Sequence, residues 1–261
     1  GVSSGGAALQ EVNETEGVRV VELEMTRTVS PFKDIKSLWS FYRLCRKEKP
    51  MIVHSHTPKA GIVGMLGSWL AGVPIRLHTV AGLPLMEASG TKRGVLDLVE
   101  KLTYACATKV YPNSMGLHDF ILKNKYTNQR RLKVIANGSS NGIDTDYFSM
   151  ERVPENDKEG LKQKLGIEPR DFVFIFVGRL VGDKGINKLV SAFSRINESS
   201  DIPSCKLLLV GSLEHDLDPL LPHTLDAIRE NKNIITVGYQ QDVRPYFAIS
   251  SALVFPSYRE G

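Results

Sequence analysis

The chain has 261 residues and a net charge of +4, and its composition, 42% hydrophobic and 24% charged, is that of a globular protein. A chain of this length can bury one large or two medium cores. Its charge is uneven: residues 1–136 carry 19 Lys/Arg and 11 Asp/Glu, whereas residues 137–261 carry 14 and 18. Unless this is random surface charge, the basic first half favours contact with an anionic membrane or a pyrophosphate. Nucleic acid is disfavoured, because no basic run is interleaved with aromatic residues.

Strand and helix patterns alternate along the first half of the chain. The strand patterns are Val18–Glu24, Met51–Ser55, Ile75–Thr79, Lys109–Pro112 and Leu132–Ile135. The helical patterns between them are Asp34–Glu48, Ala60–Ala71, Lys92–Ala105 and Met115–Asn124. The apolar segment Ala60–Gly72 is too short to span a bilayer, and we expect no signal peptide. Small residues recur in this segment at helical spacing, which predicts a helix face packed tightly on a sheet.

Residues 137–144 are rich in turn formers and predict a hinge, followed by a connecting helix at Lys158–Leu165. The later strand patterns are Phe172–Val177, Lys206–Val210, Ile234–Val237 and Ala252–Phe255, and the helical ones are Ile186–Asn197, Thr224–Asn231 and Val243–Ser250. We therefore predict an α/β fold of two Rossmann-like, doubly wound parallel-sheet domains. The predicted domains are residues 1–136 and 171–261, joined by residues 137–170, with a ligand cleft at the carboxyl ends of the strands. We expect the first domain to lack its first strand and the second to be incomplete at its end.

The run Phe172–Gly185 has the pattern of a phosphate site. A β-branched and aromatic strand breaks at Gly178, and Arg179 and Lys184 follow at the start of a predicted helix. Two cations beside a helix N-terminus at the end of a buried parallel strand favour binding of a charged phosphate group. The remaining alternative is a pair of ordinary surface salt bridges.

His54 and His56 alternate on the second strand pattern and its exit loop, a spacing that suits a metal ion. No third ligand is evident, so we expect no metal, with His54 buried and His56 lining the cleft. The three cysteines lie far apart without a CxxC spacing. This favours structural thiols in a reducing compartment over disulfides or metal ligands.

Five segments, taken in order, resemble the retaining glycosyltransferases of family 4. They are HSHTPKAG (54–61), RLHTVAGLP (76–84), NGSSNGIDTDYF (137–148), VGRLVGDKGI (177–186) and VFPSYREG (254–261). The resemblance covers essentially the whole chain. It is strongest for enzymes that add a sugar to a polyprenyl-diphosphate-linked acceptor during surface-polysaccharide or glycan assembly. It implies the GT-B fold of two facing Rossmann-like domains.

For the second domain, the resemblance implies that Arg179 and Lys184, next to Gly178, clamp the donor diphosphate. Two cations can stabilise the charge that grows on the leaving nucleoside diphosphate without help from a metal. The resemblance places the nucleotide base against the loops that follow two neighbouring strands, at Gly211, Ser212, Tyr239 and Val243. Glu260 matches the first of two family glutamates spaced eight positions apart, which lies near the donor sugar. The second, which holds the ribose, would fall beyond Gly261, so we expect the chain to be part of a longer enzyme.

For the first domain, the resemblance implies that His78 lies under the donor sugar, although a histidine satisfied at a strand end is the open alternative. Gly82 would offer backbone N–H groups near the acceptor or the diphosphate. Lys59 would meet the acceptor phosphates or be simply solvated. The glycine-rich loop that the family has after its first strand is not visible in the sequence.

The resemblance further implies transfer of a hexose or N-acetylhexosamine from a UDP-sugar with retention of configuration. The donor diphosphate itself helps to deprotonate the acceptor, so no cofactor or metal is needed; the sequence agrees in offering no carboxylate dyad at glycosidase spacing. The implied partners are the nucleotide sugar, the polyprenyl-diphosphate-linked acceptor and an anionic membrane, met in the cytoplasm at the inner membrane face. A sugar-nucleotide 2-epimerase of the same fold and a non-catalytic nucleotide-sugar-binding module remain alternatives. An NAD-dependent dehydrogenase is disfavoured, because no GxGxxG follows a strand.

Overall fold

The computed structural model describes residues 1–25, 30–86, 88–139, 142–197, 204–214 and 218–258. They form two compact units, Gly1–Asn141 and Gly142–Glu260. Every pairing between described strands is parallel, and helices connect successive strands, which confirms the α/β fold predicted from the sequence. Among the described helices, none is both long and apolar enough to cross a membrane.

The first unit alternates strands and helices from its beginning. Its strands are β1 (Val2–Ser3), β2 (Val21–Glu22), β3 (Ile52–Ser55), β4 (Ile75–Val80) and β5 (Lys109–Pro112). Its helices are α1 (Ala7–Glu16), α2 (Pro31–Glu48), α3 (Pro58–Leu70), α4 (Gly90–Cys106) and α5 (Met115–Lys123). β1 pairs with β2, and β3, β4 and β5 form a second parallel sheet in that order. A cavity of about 1130 Å³ is lined by both sheets and by α2.

The glycines of α3 bring this helix close to its neighbours. A Cβ on Gly61 would lie 2.6 Å from Cε1 of His78 on β4, and one on Gly64 would lie 3.3 Å from Cβ of Ser55 on β3. A Cβ on Gly67 would lie 3.0 Å from the Phe41 ring on α2. Side chains larger than hydrogen at these three positions would push the helix outward. The predicted tight packing of the small-residue face is therefore confirmed.

The second unit begins with α6 (Glu155–Leu165) and contains one four-stranded sheet among its described residues. The strands are β6 (Phe172–Val177), β7 (Cys205–Val210), β8 (Ile234–Gly238) and β9 (Ala252–Leu253), in the order β8-β7-β6-β9. The helices that follow them are α7 (Ile186–Asn197), α8 (Pro222–Glu230) and α9 (Arg244–Ala248). β7 is buried along almost its whole length, because the sheet has a core cluster on each side.

Three expectations for the first unit need correction. The segment Leu132–Ile135 is not a strand, because only Leu132 forms a bridge, to Val110 of β5. A strand, β1, is followed by a loop of Ser4, Gly5 and Gly6 that leads to α1, where we expected neither a first strand nor a glycine-rich loop. His54 is exposed rather than buried, since the alternation of β3 directs Ser55 into the core and His54 away from it.

The cysteines lie in hydrophobic interiors, as expected for structural thiols. Cys45, Cys106 and Cys205 each belong to a different core cluster. Burial raises the pKa of the Cys45 thiol to about 11, which keeps it protonated at neutral pH.

Candidate functional site

The candidate site lies at the carboxyl edge of the sheet of the second unit. Because β6, β7, β8 and β9 are parallel, the segments that follow them meet at one edge of the sheet. Seven of the predicted nucleotide-sugar residues belong to these segments: Gly178, Arg179, Lys184, Gly211, Ser212, Tyr239 and Val243. Glu260 falls outside the described residues.

Main-chain hydrogen bonds extend the sheet into these loops. The Gly178 N–H donates to the Val210 carbonyl at 2.9 Å, and the Leu180 N–H donates to the Ser212 carbonyl at 2.9 Å. The Gly211 N–H donates to the Gly238 carbonyl at 2.8 Å. The three loops are thereby joined to one another just beyond the last residues of β6, β7 and β8.

Gly211 is required by the close approach of two of these loops. Its φ of 147° lies in a region that side chains rarely adopt. A Cβ at this position would lie 1.8 Å from the carbonyl oxygen of Gly178, which is far inside van der Waals contact. The glycine predicted to face the nucleotide therefore has a structural function that can be seen without a ligand.

Arg179 forms an ion pair that sequence reasoning did not predict. Its Nη1 lies 3.0 Å from Oε2 of Glu214, on the segment that follows β7. The Arg179 side chain is 47% exposed and that of Glu214 is 26% exposed, so solvent still reaches the guanidinium. Glu214 lies two residues after Ser212 of the predicted base-binding loop. This position and its negative charge, opposite to that of Arg179, are the sequence features from which the pair could have been predicted.

Lys184 ends a short 3-10 turn, Gly182–Lys184, immediately before α7. Asp218 fixes this turn: its carbonyl accepts from the Gly182 N–H at 3.1 Å, and its carboxylate accepts from the Asp183 N–H. The Asp183 carbonyl in turn accepts from the Tyr258 N–H at 3.0 Å, beyond β9. Lys184 thus has the predicted position before the helix, on a turn tied to two other segments of the edge.

The segment after β8 carries the other predicted base-binding residues. Tyr239 is 75% exposed, and Val243 is half-buried at the start of α9. Next to Val243, both carboxylate oxygens of Asp242 accept hydrogen bonds from the Arg244 guanidinium, at 2.9 and 2.7 Å. Arg244 also lies over the ring of Tyr147, 3.9 Å from its centre, which holds this end of the loop in place.

In the first unit, His78 lies within β4 and is only 2% exposed. Its Nδ1 is 2.9 Å from the Ser55 hydroxyl on the neighbouring strand, and Gly61 of α3 packs on its ring. Burial lowers its pKa to about 4, so the imidazole is neutral near pH 7. These contacts match the open alternative of a satisfied strand histidine. Contact with the donor sugar stays a prediction.

The other residues predicted in the first unit have local partners. His54 Nε2 lies 2.8 Å from the Thr79 hydroxyl, and the His54 and His56 rings are 4.3 Å apart. In the described part of the chain, no group of three metal-ligating side chains comes together. Lys59 donates to the Asp34 carboxylate at 2.5 Å, and both side chains are largely buried.

Comparisons with known proteins agree with this architecture. A family model described as a glycosyl transferase 4-like domain matches residues 2–138, more than half of the chain. The chain belongs to the glycosyl transferase 4-like family. A second model, glycosyl transferases group 1, matches residues 157–261, which include the sheet edge just described.

Two curated relatives are similar along most of the chain. The capsular polysaccharide biosynthesis glycosyltransferase CapM of Staphylococcus aureus is 35% identical over 100% of the chain and 66% of its own length. The UDP-Gal:alpha-D-GlcNAc-diphosphoundecaprenol alpha-1,3-galactosyltransferase of Escherichia coli is 34% identical over 91% of the chain and 59% of its own length. The chain thus spans less than two thirds of the length of these relatives.

Among solved structures, Anabaena Alr3699/HepE in complex with UDP-glucose has a TM-score of 0.69 and 18% identity. The similarity covers 97% of the chain and 64% of that structure. At this identity the likeness concerns the fold, which is that of the GT-B glycosyltransferases.

Proposed function

We propose that this protein transfers a hexose or N-acetylhexosamine from a UDP-sugar to a polyprenyl-diphosphate-linked acceptor, with retention of configuration, in surface-polysaccharide assembly. Family membership supports glycosyl transfer. The name of the E. coli relative, which specifies a UDP-sugar donor and a diphosphoundecaprenol acceptor, supports the substrate classes. The observation that carries the proposal is the loop from Gly178 to Lys184, which has two cations at the carboxyl edge of the sheet of the second unit.

In this proposal, Arg179 and Lys184 hold the donor diphosphate. Arg179 is the better placed of the two for a bidentate contact, since its guanidinium is half exposed at the end of β6. A diphosphate that reaches Arg179 has to displace the Glu214 carboxylate or share the guanidinium with it. Donor binding therefore changes which anions contact this guanidinium. Cationic side chains at the leaving group stabilise its growing charge, and the proposed reaction uses no metal or cofactor.

The nucleoside is proposed to lie along the segments after β7 and β8. Gly211 and Ser212 present main-chain groups at the end of β7, and the exposed Tyr239 offers a ring on which a base can stack. Val243 supplies an apolar contact beside the Asp242–Arg244 pair. Glu260 is proposed to lie near the donor sugar, as the family motif implies.

In the first unit, the basic charge supports an acceptor side that approaches an anionic membrane. Residues 1–136 carry eight more Lys/Arg than Asp/Glu, whereas the remainder of the chain is acidic. A polyprenyl diphosphate combines a lipid anchor with an anionic head, so a positive surface favours its approach.

Measuring the heat of UDP binding tests the proposed diphosphate site. We expect UDP to bind the protein, and the Arg179→Ala/Lys184→Ala variant to bind at least about 100-fold more weakly, since two charged hydrogen bonds at about 1.5–3 kcal/mol each are lost. Arg170→Ala/Lys164→Ala removes the same charge from exposed positions elsewhere in the second unit and should bind as the unmodified protein does. Equal affinity of all three proteins would refute the diphosphate clamp.

Transfer is separated from its alternatives by the fate of the donor. A transferase consumes UDP-sugar only when a polyprenyl-diphosphate-linked acceptor is supplied. An epimerase would convert the sugar without acceptor, and a binding module would leave it unchanged under both conditions.

A further inference from the structure

The outward face of α2 has an unusual composition for a surface helix. Phe32 is 90% exposed, Ile35 is 65% exposed and Trp39 is 60% exposed. The other face is buried, with Ser37, Phe41 and Cys45 in the interior. Three large apolar side chains therefore point into solvent from the first half of one helix.

The same outward face carries cations. At 100° per residue, Phe32, Ile35 and Trp39 share an arc of about 100° with exposed basic residues, namely Lys36, Arg43 and Arg46. Lys47 lies at the rim of this arc. Within the described part of the chain, none of these four cations forms an ion pair. We call the seven residues the α2 face.

The acidic residues of α2 lie on its other side. Asp34 pairs with Lys59 of α3, and Glu48 pairs with Arg19 at 2.8 Å. The α2 face is thereby left with apolar and positive groups alone. The apolar residues lie in its first half, and Arg43, Arg46 and Lys47 lie in its last two turns.

We infer that the α2 face is a docking surface for an anionic lipid bilayer. A helix with aromatic and aliphatic side chains among cations, and with low overall hydrophobicity, binds in the plane of the membrane interface. Phe32, Ile35 and Trp39 enter the boundary between headgroups and acyl chains, and the basic residues contact lipid phosphates. Charge complementarity favours an anionic bilayer over a second copy of the chain, because two copies would bring two positive faces together. The inference rests on the proposed use of a lipid-linked acceptor, which has to be met at a membrane.

Flotation with vesicles tests this surface on the purified protein. We expect binding to vesicles of equal parts phosphatidylglycerol and phosphatidylcholine and much weaker binding to phosphatidylcholine alone. Arg43→Gln/Arg46→Gln should weaken binding to the anionic vesicles about 25-fold, at about fivefold for each cation. Phe32→Ser/Trp39→Ser should abolish stable binding, and the exposure of both side chains makes loss of folding an implausible cause.

Two control variants match these changes elsewhere. Lys123→Gln/Lys125→Gln removes two exposed cations from the end of α5, and Ile143→Ser/Met150→Ser removes two exposed apolar side chains from the second unit. Both should float as the unmodified protein does. Flotation of the α2 variants at the unmodified level would overturn the inference, and so would a change in their oligomeric state without a change in flotation. UDP binding, measured on every variant, shows separately whether the proposed donor site has failed.

Discussion

The ends of β4 and β6 show how similar strand-helix units treat their polar residues in opposite ways. In β4, His78 lies two residues before the end of the strand, and the interior encloses it under α3. In β6, the strand ends at Val177, and Arg179 lies two residues past that end with half of its side chain in solvent.

A shift of a few residues along the chain, from within a strand to just past its end, therefore decides whether a polar side chain is buried or accessible to a ligand. A side chain that points from a parallel strand toward a packed helix, as His78 points toward α3, is covered by that helix. A side chain just past the strand end faces the edge, where ligands of such sheets bind. The glycines support both arrangements: Gly61 makes room for the His78 ring, and Gly211 lets the loops beyond β6 and β7 meet.

The largest expected effect on stability comes from placing a side chain at Gly211, where the loops after β6 and β7 meet. Gly211→Ala should destabilise the protein by about 4 kcal/mol, because its Cβ would collide with the Gly178 carbonyl in a strained backbone conformation. Urea unfolding measures the change. Gly160→Ala on α6, where a Cβ meets no other atom within 4 Å, is the control and should stabilise by up to about 1 kcal/mol. A small loss for Gly211→Ala would show that the loops do not meet as described.

The next largest effect is the pH dependence of stability that the buried His78 causes. The pKa of His78 is about 4 in the folded protein and about 6.5 when unfolded, so the unfolded chain binds more protons between these values. The contribution of neutral His78 to the free energy of unfolding is fully present above about pH 6.5 and is lost as the pH falls toward 4. Relative to His78→Gln, the unmodified protein should lose about 2 kcal/mol more between about pH 7 and about pH 5. Unfolding free energies at the two pH values measure this, and equal losses would contradict burial of the ring.

The smallest expected effect concerns the partly exposed ion pair between Arg179 and Glu214. Glu214→Gln should change the free energy of unfolding by less than about 1 kcal/mol, because the ion pair with Arg179 is partly solvated. The same change should raise the affinity for UDP by about two- to fivefold, since a competing carboxylate is removed. Glu168→Gln breaks the exposed pair with Arg170 and is the matched control. Weaker UDP binding by Glu214→Gln would mean instead that Glu214 positions Arg179.

Much of the fold could be predicted, because buried strands and amphipathic helices have strong local patterns. The bounds of β5, β6 and α7 agree with the sequence patterns at Lys109–Pro112, Phe172–Val177 and Ile186–Asn197. By contrast, β1 has only two residues, and none of the described residues of α1 is buried. Short pairing and a solvated helix leave little periodicity to detect.

The site could be predicted only in part for a related reason. Glycines and cations after a strand end have a local signature, which located Gly178, Arg179 and Lys184. The partners Glu214 and Asp218 come from 35 residues further along the chain, and only the pairing of β6 with β7 brings them near. The burial of His78 likewise depends on α3, which no pattern around His78 indicates.

The hydrogen bonds that join the loops of the second unit have a consequence for how this scaffold can diversify. Leu180 is joined to Ser212, Gly211 to Gly238, and Tyr258 to Asp183, in each case through main-chain atoms. Replacing an exposed side chain such as Ser212 or Tyr239 removes none of these bonds. The edge can therefore keep its shape while its side-chain chemistry changes, which allows one backbone to be adapted to different ligands by surface substitutions alone.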